Sequence, residues 1–260
     1  MSPLREDDER IIVRRDGHGE ASSEVQLVGV DWPIFLRWME DVWEPGHHFA
    51  LIGPTGEGKS TFAVGLLQTR KWVLALDAKG EDETLSASGF VRITKLPLPR
   101  KIRNAIAEGE PARIIVGGAA GTDAEERALR DLMRRAVAMV RQQGGWTIYA
   151  DEFQILADLR MFNLGKAVER LLVGARSKGT SVVTSFQAPA WVPRAATRQT
   201  WGVALFSTRD RAMIKSVAES MGRDWRVITE IVDQLPQFFV LVIPKSIHAP
   251  MVLVHPPKVA

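Results

Sequence analysis

Nine consecutive residues, Gly53-Pro54-Thr55-Gly56-Glu57-Gly58-Lys59-Ser60-Thr61, are of the types and in the order that hold a polyphosphate. They fit the G-x-x-x-x-G-K-[ST] pattern called Walker A. Glycine tolerates positive φ and lets the backbone come close, so successive amides point inward at phosphate oxygens. Lys59 would bridge the β- and γ-phosphates of ATP, and Ser60 would ligate Mg²⁺. A helix starting here turns its positive end to the same anion. The plain alternative is a glycine-rich turn with an exposed lysine. The flanks argue against it: HHFALIG before the loop is a buried-strand pattern, and TFAVGLLQT after it has helical spacing. Glu57 is an acid in an anion-holding loop. Only its backbone is needed there, so its side chain is expected to point away.

A second group sits in WTIYADEF, where Asp151 and Glu152 end an apolar strand. Beside a Walker A loop this is the Walker B arrangement: Asp151 would hold Mg²⁺ through water, and Glu152 would orient and activate an attacking water. Read alone, the pair is also an aspartate helix cap with a glutamate in the first turn. The second acid favours hydrolysis, which needs a water activator. Gln187 ends the next apolar strand, TSVVTSFQ, where an amide can contact phosphate or lytic water; a strand-end role is the alternative. Arg176, in the turn before that strand, could reach a neighbouring subunit's nucleotide as an arginine finger. A solvated helix end is its alternative, and Arg170 and Arg194 compete for the role.

These groups need a scaffold, and the pattern supplies one. VQLVGV, HHFALIG, WVLALD, FVRITKL, ARIIVGG, WTIYADE, TSVVTSFQ and WGVALFS read as strands. Helical segments lie among them: IFLRWMEDVW, the stretch after the loop, residues 122–143, LGKAVERLLVGARSKG and RAMIKSVAESMG. In 122–143, Asp123 lies near the start, and Ala128, Leu132, Ala136 and Met139 mark an apolar face. Alternating strands and helices predict a mostly parallel α/β sheet with helices on both faces. FFVLVIP and APMVLVH, separated by a short polar turn, predict a closing β-hairpin. The organisation expected is a flexible arm over 1–22, an ATPase domain over 23–245 and a hairpin strand with tail over 246–260.

Composition sets the class. The chain has 260 residues, 45% hydrophobic and 25% charged, which suits a globular protein with one large domain. Cysteine is absent, which removes disulfides, thiolate zinc sites and cysteine nucleophiles. His47 and His48 would point to opposite faces of a strand, which argues against a metal site. The opening MSPLREDDERIIVRR has no apolar core of a signal peptide, and no apolar run reaches membrane-spanning length, so a soluble cytoplasmic protein without membrane insertion is expected. The formal charge of +3 and pI of about 9.3 permit a polyanion partner. Arg127, Arg130, Arg134, Arg135 and Arg141 on the 122–143 helix, with Arg194 and Arg198, could track phosphates. A solvated face balanced by Glu125, Glu126 and Asp131 is the other reading of the helix.

The order GPTGEGKS, LALDAKG, IYADE and GARSKGTSVVTSFQAP resembles the FtsK/HerA superfamily of DNA-pumping P-loop ATPases, over about residues 45–245. The aspartate-lysine-glycine turn, the arginine-x-x-glycine and the strand ending in glutamine then proline belong to the resemblance. It implies an ASCE/RecA-like P-loop NTPase fold with the Gln187 strand between the Walker A and Walker B strands. It implies ATP and Mg²⁺, the roles given above for Lys59, Ser60, Asp151, Glu152 and Gln187, and Arg176 as a trans finger. It further implies a motor on double-stranded DNA working as a homo-oligomeric ring, a hexamer or pentamer, with a viral portal or another docking protein as a partner. The membrane helices and separate DNA-orienting domain of full chromosome translocases are missing from the sequence, as in compact phage or mobile-element motors for packaging or DNA transfer. A small-molecule P-loop kinase and a nucleotide-gated interaction protein with little turnover are the rival readings.

Overall fold

The computed structural model describes residues 10–13, 25–80, 83–118, 121–174, 176–188, 192 and 195–257. Eleven strands form one sheet: β1 (Arg10–Val13), β2 (Val25–Val30), β3 (His48–Ile52), β4 (Trp72–Asp77), β5 (Val91–Ile93), β6 (Ala112–Gly117), β7 (Thr147–Ala150), β8 (Ser181–Phe186), β9 (Thr200–Phe206), β10 (Val240–Pro244) and β11 (Met251–Val254). Their order is β1-β2-β11-β10-β9-β3-β8-β7-β4-β6-β5. From β9 to β5 every neighbouring pair is parallel. β10 runs antiparallel to both β9 and β11, the expected closing hairpin. β11 pairs parallel with β2, and β1 pairs antiparallel with β2. Residues 10–13, within the segment expected as an arm, thus extend the sheet.

The central strands read as apolar runs because both faces are covered. Ala50, Ile52, Leu74, Leu76, Ile148 and Ala150 point into one core, under the helices Asp123–Gln143, Gly165–Gly174 and Arg211–Ser220. Their neighbours Phe49, Leu51, Val73, Ala75 and Tyr149 point into the other, with the helices Trp32–Val42 and Lys59–Gln68. The second core is rich in rings: Phe62 packs on Trp32, Phe35, Phe49 and Phe206 at centroid distances of 5.4 to 6.4 Å.

The 122–143 segment is a helix over Asp123–Gln143, capped by Thr122, whose hydroxyl accepts from the Glu125 amide. Its buried stripe is Leu132, Met133, Ala136, Val137 and Val140. Ala128, expected on that face, is exposed; the buried stripe begins at Leu132. Among the described residues, no helix is long and apolar enough to cross a membrane.

Candidate functional site

In a parallel sheet the loops after the strands share one end, and the chain puts its reactive groups there. The phosphate-loop sequence follows β3. Gly56 and Gly58 have φ of +88° and +87°, the left-handed conformation that glycine adopts without strain. Gly53 is held tightly: its amide donates to the Phe186 carbonyl at 3.3 Å, and a β-carbon on it would lie 2.6 Å from Phe206 Cβ. The helix Lys59–Gln68 begins directly after Gly58. Pro54, Thr55 and Gly56 are exposed, while Glu57, Gly58, Lys59, Ser60 and Thr61 are half-buried.

The Lys59 ammonium donates to the carbonyls of Gly53 at 2.9 Å and Pro54 at 2.7 Å. Burial lowers its pKa from the ordinary lysine value, and the negative charges of Asp151, Glu152 and Glu57 act against that shift. The Walker-type lysine and the tandem acid therefore share one electrostatic site. Glu57, expected to face away, still acts on Lys59 from within the loop.

Asp151 and Glu152 leave the end of β7. The Asp151 amide donates to the Leu76 carbonyl at 3.3 Å, and the buried Tyr149 hydroxyl donates to Asp151 Oδ1 at 2.8 Å. Tyr149 stands two residues earlier, on the same side of the strand, which makes this contact possible. Glu152 has φ +42° and ψ +56°, left-handed backbone for a non-glycine residue, at a cost of about 1–2 kcal/mol. It turns the chain sharply from β7 into the helix Phe153–Ala157. Its Oε1 accepts from Lys79 Nζ at 2.5 Å, with Glu152 17% exposed and Lys79 53% exposed.

Lys79 comes from the Asp77-Ala78-Lys79-Gly80 turn after β4. Asp77, buried, accepts from the Gly80 amide at 2.8 Å through Oδ1 and from Arg92 Nη2 at 3.1 Å through Oδ2. That carboxylate braces the turn and directs Lys79 at Glu152. Sequence reading noticed the turn as a motif but missed what the lysine meets; it equally missed the Tyr149–Asp151 bond and the Arg92–Asp77 pair. The one signal available was that Tyr149 is the chain's single tyrosine, two residues before an acid.

Gln187 follows β8, which lies between β3 and β7 as expected. It is half-buried beside the Phe186 carbonyl that holds Gly53. Arg176 is elsewhere. It begins a 3₁₀ turn, Arg176–Lys178, ahead of β8, with Nη2 3.5 Å from His47 Nε2. At about 3.3 Å per residue, the six residues of β8 separate it from the phosphate loop by roughly 20 Å. Arg176 and the phosphate-loop sequence thus lie at opposite ends of the sheet. Arg170 is exposed on the helix Gly165–Gly174, and Arg194 lies outside the described residues.

Of the other candidates, Arg127, Arg134, Arg135 and Arg141 are exposed on their helix, and Arg135 Nε is paired with Asp131 at 2.9 Å. His48 Nδ1 accepts from the Val182 amide at 3.0 Å, and His47 stacks on Trp201 at 6.4 Å. Among the described residues no cluster of three or more His, Asp or Glu is arranged to hold a metal. A Mg²⁺ ion carried in with a nucleotide needs no such cluster, because phosphates and waters fill most of its shell. The Ser60 hydroxyl and the Asp151 carboxylate are hard oxygen donors of the kind it takes.

No protein-family model matches the sequence, and no curated protein matches it. Solved structures do resemble it. The chain is similar to the genome-packaging NTPase B204 from Sulfolobus turreted icosahedral virus 2 in complex with sulfate, at a TM-score of 0.56 and 14% identity, covering 83% of this chain and 99% of that one. It is similar to B204, the DNA-packaging ATPase from Sulfolobus turreted icosahedral virus, at 0.56 and 16%, covering 83% and 100%. VirB4 of Thermoanaerobacter pseudethanolicus aligns at 0.58 and 10%, covering 82% and 89%. At such identities the likeness establishes the fold, and it is the P-loop ATPase fold that the FtsK/HerA resemblance implies.

Proposed function

We propose that this chain is an ATP-driven motor that moves double-stranded DNA, in genome packaging or in transfer of a mobile element. One observation carries the reading. The strand order β3-β8-β7 brings Lys59, the tandem acid Asp151-Glu152 and Gln187 to one end of the sheet, with Lys59 in the field of both acids. A small-molecule kinase has no need of Glu152 as a water activator. The likeness in fold to DNA-packaging ATPases supports the choice of polymer.

In this reading the loop amides and Lys59 bind the β- and γ-phosphates of ATP. Ser60, and Asp151 through water, would hold Mg²⁺, which would supply charge neutralisation at the phosphates. Glu152 accepts a proton from the attacking water, and Lys79 fixes where its carboxylate stands. Gln187 contacts the γ-phosphate side and reports its presence to β8. Arg176 serves the neighbouring subunit in a hexameric or pentameric ring, and a portal or other docking protein anchors that ring. The exposed arginines of the helix Asp123–Gln143 are candidates for phosphate contacts along the duplex.

The test pairs ATP turnover, with and without duplex DNA, with particle mass in ATP. Turnover that rises with duplex, a ring mass, and DNA affinity that falls steeply with salt are the expected results. Turnover indifferent to DNA, with phosphate passed to a small acceptor, restores the kinase reading. Tight ATP binding without turnover restores the nucleotide-gated interaction protein.

A further inference from the structure

Phe238 has φ +68°, in the left-handed region. For a bulky side chain this is an outlier, and such a residue persists only where its surroundings hold it. The core does not account for it: Phe238 is half-exposed and belongs to neither of the two cores. Its neighbours are anchored elsewhere. Leu235 packs on the first core, the Phe239 ring lies tilted against His255 at 5.0 Å, and Val240 is buried as the first residue of β10.

The Phe238 ring stands beside the phosphate loop. Its Cδ1 lies 3.7 Å from where a β-carbon on Gly58 would stand. The topology explains the approach. β10 runs antiparallel to β9, with Val240 opposite Phe206, so β10 begins at the same end of the sheet as the loop. Phe206 in turn abuts Gly53. An aromatic ring, partly open to solvent, is thus fixed beside the glycine that precedes Lys59. A flat apolar group tethered to a phosphate chain is what such a ring can hold, and the base of a nucleotide is that group.

We propose that Phe238 is the base-stacking residue of the nucleotide site, gripping the purine through its ring face. This rests on the ATP reading above and deepens it. Glycine would make the same turn without strain, so Phe238→Gly removes the ring while keeping the backbone. The experiment is calorimetric titration of the full chain with Mg·ATPγS and, separately, with inorganic tripolyphosphate. Base–aromatic stacking corresponds to about a 5- to 150-fold change in affinity. Phe238→Gly is expected to lose ATPγS affinity in that range, Phe238→Tyr to retain it, and tripolyphosphate to bind all three forms alike. Unchanged ATPγS binding in Phe238→Gly overturns the proposal. Equal losses for both ligands also overturn it, because the ring then only supports the loop. Wild-type protein that binds tripolyphosphate as well as ATPγS leaves the phosphate loop standing and removes the stack. Wild-type protein that binds neither ligand overturns the nucleotide reading itself, and the stack with it.

Discussion

Acidification should loosen the two strands that carry the phosphate loop and Gln187. His48 opens β3 and is 3% exposed. Its Nδ1 accepts the Val182 amide of β8 at 3.0 Å, which requires a ring nitrogen without a proton. Burial, helped by the charges of His47 and Arg176, pushes the imidazole down from 6.5 to about 4. In the unfolded chain the group titrates near the ordinary value of about 6.5. Below that pH the unfolded state takes up a proton that the folded state refuses. The stability from neutral His48 is therefore complete above about pH 6.5, falls as pH drops, and is gone below about pH 4. At roughly 1.4 kcal/mol per pH unit the full effect is about 3 kcal/mol, of which about 2 is lost by pH 5. For a chain of this size that corresponds to a drop of about 4–8 °C in Tm. The assay compares Tm at pH 7, 6 and 5 for wild type and His48→Asn, whose amide oxygen can accept from Val182 without titrating. The wild type should lose several degrees more than the variant. Parallel curves would refute the assignment of this pH dependence to His48.

Three further outcomes are expected. Lys59→Ala should lose nucleotide binding, while Glu152→Gln should bind ATP and turn over about 10²- to 10⁴-fold more slowly; unchanged turnover in Glu152→Gln removes it from the water-activating role. Gly53→Ala should destabilise by about 1–3 kcal/mol, since its β-carbon meets Phe206 Cβ at 2.6 Å; a wild-type Tm would show that the strand junction yields freely. Arg176→Ala should bind ATP yet lose on the order of 10³–10⁵ in turnover, and mixing it with Lys59→Ala subunits should restore part of the activity. Wild-type turnover of assembled Arg176→Ala ends the trans-finger assignment.

Much of the fold was legible because its central strands are short apolar runs set between helical repeats. Six of the seven parallel strands, and the hairpin, lie within the apolar stretches read from the sequence with only small differences at their ends. The seventh, β5, is only Val91–Ile93 at the sheet edge, inside a longer expected strand. Among the described helices of eight or more residues, two escaped. Trp225–Asp233 is crowded with β-branched residues, which favour strands. Its pattern is nevertheless helical: Val227, Ile228, Ile231 and Val232 share one buried face, and Asp224 caps it by accepting from the Arg226 amide. Arg100–Ala107 buries no residue fully, so only Ile102 and Ile106 mark its inner side.

The candidate site was legible where its residues are consecutive, and opaque where it depends on meeting through space. Strand direction supplies most of what was opaque. Residues that follow a parallel strand lie at the loop end: 53–60 after β3, Lys79 after β4, Asp151 and Glu152 after β7, Gln187 after β8. Residues that precede one lie at the far end, as Arg176 and His47 do, in contact with each other. Phe238 precedes a strand and still reaches the loop, because β10 is antiparallel to β9. As the proposed finger, Arg176 at the far end would act only if a neighbouring subunit offered its phosphate loop to that end. In the proposed ring, the same polarity that gathers Lys59, Lys79, Glu152 and Gln187 would therefore constrain the orientation of adjacent subunits.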